Sequence, residues 1–168
     1  MSMFIHECDV MTKITLMASL DRAEAGAVAN AFTVRWELSS YTQYKDHKMY
    51  LVLEPESQLL QIKDEQDNMV NTLLVSKDIQ FKRDVLNAPV GMIALVPYDR
   101  IDDQEDAIGR RSFLHPIVHE IQALPYNDVH FELLDARTLN PFTTQISGLQ
   151  AWYSVDLVFS LYIMKSKR

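Results

Sequence analysis

The last part of the chain decides the fold and reads Leu149-Gln-Ala-Trp-Tyr-Ser-Val-Asp-Leu-Val-Phe-Ser-Leu-Tyr-Ile-Met164. Every odd-numbered position from 149 to 163 is apolar, whereas Ser154, Asp156 and Ser160 lie between them. Alternation with a period of two is the pattern of a strand with one buried face. The pattern predicts a strand of about 15 residues, which at ~3.3 Å per residue is about 50 Å long. We expect its apolar face to exceed what the core of one copy can cover.

The opposite face of this predicted strand also carries apolar side chains, namely Trp152, Val158, Tyr162 and Met164. A large apolar surface on a soluble protein usually marks an interface. The backbone edge of an overlong strand also invites pairing with another chain. We therefore predict that these four residues belong to an interface between copies of the chain, in a closed ring.

Composition indicates one globular domain. The chain has 168 residues, of which 48 % are hydrophobic and 23 % are charged. This length favours a single domain over residues 1–168, in which residues 1–20 could form an extended N-terminal arm. Cys8 is the only cysteine, so neither an intramolecular disulfide nor a cysteine zinc site is expected. The absence of a signal-peptide pattern and of a long apolar run predicts a protein of the reducing cytoplasm without membrane contact.

The charge balance argues against nucleic acid as a partner. Sixteen basic residues stand against twenty-three acidic ones, which gives a net charge of −7. An acidic surface repels phosphate backbones, so we expect no sequence-specific binding of DNA or RNA.

The remaining elements predict an α+β fold. Residues 32–38, 49–53 and 129–134 have the composition or alternation of strands. Residues 105–124 have apolar side chains at helical spacings, with Pro116 as a kink or as the true start of the helix. We predict a twisted, mostly antiparallel sheet with this one main amphipathic helix on one face and a long C-terminal strand.

Two histidines within the predicted helix could share a metal ion. His115 and His119 are four residues apart, which places them on one helical face. A third ligand would have to come from elsewhere, either from His130 or from an acidic residue. Two ligands are too few for a site. We therefore assign no metal, cofactor or catalytic residue, and keep a small metal-dependent enzyme as an alternative function.

The sharpest charge cluster lies at residues 99–106 and includes Asp102, Asp103 and Asp106. Its spacing does not match a calcium-binding loop. One interpretation is a solvated loop whose acids complement a helix N-terminus. Another is an acidic patch that meets basic residues of a neighbouring subunit, and on this interpretation the three aspartates are interface residues.

The order of elements in the C-terminal part resembles a known family. The predicted helix over residues 109–124, the strand Val129–Leu134, the segment Asn140-Pro-Phe-Thr-Thr-Gln and the long strand Leu149–Met164 follow one another. This order is similar to the C-terminal half of tail-terminator and neck (head–tail joining) proteins of tailed bacteriophages. The resemblance covers about 60 residues and is one of pattern, without a signature motif.

The resemblance implies a non-enzymatic structural protein of the virion. In that family small α+β subunits form rings, usually hexameric, which cap the tail tube and join it to the head. The implied partners are copies of the same chain and other tail or neck proteins, and the implied location is the virion, after assembly in the host cytoplasm. The N-terminal half departs from the family pattern because it lacks a clear opening helix. This departure leaves a tail-tube or baseplate-proximal subunit as an alternative.

Overall fold

The structure, a computed structural model, describes residues 5–19, 31–37, 44, 46–62, 71–82, 91–96, 108–113, 115–124, 127–140 and 152–165. Within these ranges the regular structure consists mainly of strands, and the helical content is limited to 3₁₀ conformation at Glu7–Asp9 and at Tyr44. The predicted α+β class is therefore wrong, and the described chain is nearly all β-sheet.

The described residues form eleven strands. In chain order they are β1 Val10–Ser19, β2 Ala31–Arg35, β3 Met49–Leu53, β4 Gln58–Ile62, β5 Thr72–Val75, β6 Gln80–Phe81, β7 Met92–Val96, β8 Ile108–Ser112, β9 Ile117–Ala123, β10 Asp128–Asp135 and β11 Trp152–Met164.

The larger sheet is built around β11. One edge of β11 pairs with β1, and the other edge pairs with β3 and then with β4. Beyond these, β9 pairs with β3, β8 with β4, and β6 with β9. A second sheet has the order β2-β10-β5-β7. Every described strand pair is antiparallel.

The two sheets enclose one main core. Phe32 and Phe131 of the smaller sheet stack on each other, and Phe131 in turn stacks on Phe159 of the larger sheet. Trp36 meets both Phe131 and Phe159 edge to face, at centroid distances of 5.6 and 5.5 Å. These offset and edge-to-face contacts are the favoured aromatic geometries, and they join the sheets at the middle of β11.

The final strand exists, but its apolar face is covered within one copy. Between Val155 and Ile163 the odd-numbered side chains are at most 1 % exposed. From Asp156 to Met164 both backbone edges of β11 have partners in the same chain. The expectations of an uncovered face and an unpaired edge are therefore wrong for these residues. Strand β1 covers one edge of β11, and it comes from residues 1–20, which could have formed an extended arm.

The predicted helix over residues 105–124 is wrong. Its described residues form β8 and β9, which pair with β4 and β3. Ile117 and Ile121 are four residues apart, and this spacing places two side chains on one face of a strand as well as on one face of a helix. The pairing of β9 with β3 decides between them. Pro116 directly precedes β9, at a position where a strand tolerates proline.

Candidate functional site

Three of the four predicted interface residues of β11 lie on the outer face of the larger sheet. Val158, Tyr162 and Met164 are half-buried there. The Lys13 ammonium lies 5.3 Å from the centre of the Tyr162 ring, a cation–π contact across the β1–β11 pair. Trp152 begins β11, and its side chain lies outside the described residues. The outer face of β11 thus keeps partly exposed apolar surface, although less than the sequence pattern predicts.

The acidic interface residues Asp102, Asp103 and Asp106 lie outside the described residues, as does the rest of the 99–106 cluster. Their assignment to an interface stays a prediction.

The structure does not bring His115 and His119 together as metal ligands. His115 is exposed in the segment between β8 and β9, whereas His119 lies inside β9 and points into the protein. His130, the suggested third ligand, lies on the other sheet. Among the described residues no group of three or more His, Cys, Asp or Glu side chains could hold a metal ion.

His119 connects the two sheets. Its Nε2 lies 2.6 Å from the carbonyl oxygen of Ile93 in β7, so the neutral ring donates this hydrogen bond. The ring also contacts Phe81 of β6 at a centroid distance of 4.8 Å. Burial lowers the pKa of His119, and the hydrogen bond to Ile93 opposes this only in part. The neutral His119 side chain therefore links β9 of the larger sheet to β7 of the smaller sheet.

Glu120, next to His119, points to the outer surface. Lys82 Nζ lies 2.7 Å and Lys48 Nζ 3.7 Å from Glu120 Oε1. Burial raises the pKa of the Glu120 carboxyl, but the hydrogen bonds and charges of the two lysines outweigh burial and lower it. This is an exposed ion-pair cluster, which contributes at most about 1 kcal/mol per pair.

The densest polar constellation among the described residues lies on the outer face of the smaller sheet. Thr33 Oγ1 is 3.1 Å from His130 Nδ1, and His130 Nε2 is 3.2 Å from Glu132 Oε1. In the neighbouring cross-strand pair, Arg35 Nε donates to Asp128 Oδ1 at 3.0 Å. Alternation along β2 and β10 predicts which of these residues share a face, but the register that pairs them could not be read from the sequence.

The row Thr33–His130–Glu132 has the order of hydroxyl, imidazole and carboxylate that nucleophilic catalysis uses. Thr33 and His130 are, however, directly opposed residues of β2 and β10 on an open sheet face. Such cross-strand pairs each stabilise a sheet by roughly 0.2–1 kcal/mol. Catalysis would also require donors for an oxyanion around the hydroxyl, and no described contact supplies them. The arrangement therefore supports sheet pairing more than chemistry.

A groove between the two sheets is lined by residues of β1, of β2 and of the segment that follows β2. Here β1 borders the larger sheet and β2 borders the smaller one, and a groove of about 320 Å³ lies between them. We call it the β1–β2 groove; its lining residues are Thr15, Leu16, Met17, Val34, Arg35, Trp36 and Glu37. The Trp36 indole lies in the β1–β2 groove, and its Nε1–H donates a hydrogen bond to the carbonyl oxygen of Met17 at 2.9 Å. On the opposite side His119 of β9 bonds to the Ile93 carbonyl of β7 and contacts Phe81 of β6.

Comparison with known proteins adds no identity: no family model, no curated protein and no solved structure matches this chain. Among the described residues no helix is long and apolar enough to span a membrane.

Proposed function

We propose that the protein is a non-enzymatic structural subunit that acts by assembling with copies of itself in a ring. The observation that carries this proposal is the border strand β1. It covers the edge of the long central strand β11, and its own outer edge pairs with no strand among the described residues. An unpaired strand edge is a template for pairing with another chain. The strand edge that can pair with another copy is therefore the outer edge of β1 and not an edge of β11.

The proposed setting is the head–tail junction of a tailed bacteriophage, where a ring of tail-terminator or neck type joins the tail tube to the head. This rests on the sequence resemblance. What supports it in the fold is the succession of β10 and the 13-residue strand β11.

A tail-tube or baseplate-proximal subunit is the second candidate. The observation that favours it is the replacement of the predicted helix by β8 and β9, since that helix was part of the pattern shared with terminator proteins.

The experiment is electron microscopy of the purified protein, combined with sedimentation velocity over a wide concentration range. We expect rings, or a species that grows with concentration. Because such subunits can require a neighbour to assemble, mass spectrometry of the purified virion forms the second measurement. A monomer at all concentrations that is also absent from virions would contradict the proposal.

A further inference from the structure

The outward-facing backbone groups of β1 can be identified from the hydrogen bonds of β11. Val158 N–H donates to Ser57 Oγ, and Val158 C=O accepts from Glu54 N–H, so both groups point towards β3 and β4. Met17, which is opposite Val158, must then direct its own N–H and C=O away from β11. The same alternation turns the N–H and C=O of Lys13 and Thr15 outward.

Only one of these outward groups has a bond from the described residues. The carbonyl of Met17 accepts from the Trp36 indole. Lys13 and Thr15 are exposed, and their outward N–H and C=O groups meet no donor or acceptor in the described part of the chain. Donors and acceptors that alternate at strand spacing are satisfied together only by another extended strand. A partner at this edge of β1 must therefore be in an extended conformation.

The usual protections against such pairing are weak here. Natural edge strands carry prolines, bulges or charges that project at the edge. In β1 the register shift lies at the start, between Val10 and Thr12, and Lys13 is the one charged residue. The ammonium of Lys13 is turned over the Tyr162 ring of its own sheet. From Ile14 to Ser19 the strand carries neither charge nor proline.

The charge distribution favours a second copy as the partner. Two copies of a chain with net charge −7 repel each other over most of their surfaces. Residues 10–19 contain no carboxylate and one lysine, so this edge is a place where two acidic copies can approach with little repulsion. The β1–β2 groove beside it leaves room for side chains of an incoming strand.

We propose that an extended strand of a second copy of this chain pairs with the outer edge of β1 through the backbone groups of Lys13 and Thr15. The inference rests on the proposed function, because it names the surface through which the ring assembles. The Met17 carbonyl, already bonded to Trp36, marks the end of the new ladder. The contact adds one strand to the larger sheet at each subunit boundary.

The first experiment is sedimentation velocity of Thr15→Pro beside Thr15→Val. Proline removes the outward N–H of residue 15, and edge positions whose N–H faces solvent tolerate it. Valine keeps the N–H and serves as the matched control. We expect Thr15→Pro to weaken self-association at least about tenfold and Thr15→Val to leave it near wild type. Circular dichroism of both variants shows whether the fold is retained.

A second measurement needs no substitution. Hydrogen exchange of the wild type, at a dilute and at a concentrated condition, follows the amides of Lys13 and Thr15. We expect both amides to exchange rapidly in the dilute protein and at least about tenfold more slowly in the assembly. The amide of Ile14, which faces β11, is the internal control and should be protected in both conditions.

The outcomes separate this inference from the proposed function. A wild-type protein that assembles while Thr15→Pro assembles equally well, or while the amides of Lys13 and Thr15 stay fast, overturns the inference and leaves the structural role standing. Amides that are already slow in the dilute monomer also overturn it. A wild-type protein that stays monomeric and is also absent from virions contradicts the structural role itself.

Discussion

The Ser57 side chain bonds to the backbone of β11 at the point between β3 and β4 where neither strand pairs with it. Between β3 and β4 the chain leaves the ladder over residues 54–57, opposite Val158. Ser57 is fully buried, and its hydroxyl donates to the Val158 carbonyl at 3.2 Å and accepts from the Val158 N–H at 2.9 Å. The Ser57 hydroxyl thus supplies the acceptor for the buried Val158 N–H and a second donor to the Val158 carbonyl, which also accepts from Glu54 N–H.

We expect Ser57→Ala to lower the free energy of unfolding by about 1–3 kcal/mol, because it leaves a buried N–H without its partner. The measurement is urea denaturation followed by tryptophan fluorescence. Ser76→Ala is the matched control, since the Ser76 hydroxyl is equally buried but has no hydrogen-bond partner among the described residues. Equal losses in the two variants would show that the bonds to Val158 contribute nothing.

His119 couples stability to pH. Burial holds its pKa below the ordinary value of 6.5, so the unfolded chain binds a proton more readily than the folded one. The stability from the neutral ring is fully present above about pH 6.5 and is lost progressively as the pH falls from there towards the lower, folded pKa.

We therefore expect the wild type to lose more stability than His119→Gln when the pH is lowered from about 7.5 to about 5. Thermal unfolding at a series of pH values measures this difference, in which the contributions of the other titrating groups cancel. His115→Gln, which removes an exposed histidine four residues away, should keep the wild-type slope. A wild-type slope in His119→Gln would exclude His119 as the titrating group.

At the scale of elements, two border strands are joined by one side chain. Trp36 follows β2 and packs on the core, while its indole N–H reaches the carbonyl of Met17 in β1. The bond ties the smaller sheet to the larger one at the β1–β2 groove. On the opposite side His119 and the Ile93 carbonyl make the corresponding tie between β9 and β7.

Trp36→Phe keeps an aromatic ring in the core but removes the indole donor. We expect it to cost about 1 kcal/mol from the hydrogen bond, with a further loss from the smaller ring. Trp36→Ala should cost roughly 3–5 kcal/mol, because it also empties the core position. Chemical denaturation compares the two variants. A Trp36→Phe variant as stable as the wild type would show that the bond to Met17 contributes nothing.

The sequence pattern predicts the buried residues correctly for β2 but not for β7. The alternation of residues 32–38 correctly predicts that Phe32, Val34 and Trp36 are buried. The apolar run between Pro89 and Pro97 predicts a strand buried on both faces, and this is wrong for Leu95 of β7, which is 47 % exposed. Alternation along a strand is local, whereas the burial of a sheet face depends on what the rest of the chain packs against it.

For the whole molecule, the two ends of the chain form one structural unit. β1 pairs with β11 over nine registered residue pairs, and Leu16 and Ala18 contribute to the core. The first strand is therefore needed to cover the edge of the last. An appended arm would lack this role.

We expect deletion of residues 1–19 to give insoluble protein, because the β11 edge and part of the core become exposed. Deletion of residues 1–9 is the control, since it retains all of β1 and should stay soluble. Soluble yield and light scattering measure the difference. A soluble, cooperatively folded 1–19 deletion would show that β1 is dispensable for the fold.

The sequence by itself determined the long final strand, the buried faces of β2 and β10, and the acidic charge. Each depends on alternation or composition, which a single segment carries. Only the tertiary structure decided that residues 117–123 are a strand, that β1 covers β11, and that the outward backbone groups of Lys13 and Thr15 have no partner among the described residues. The physical reason is that a spacing of four residues fits both helix and strand, and that the pairing of distant backbone groups leaves no mark in either partner's own sequence.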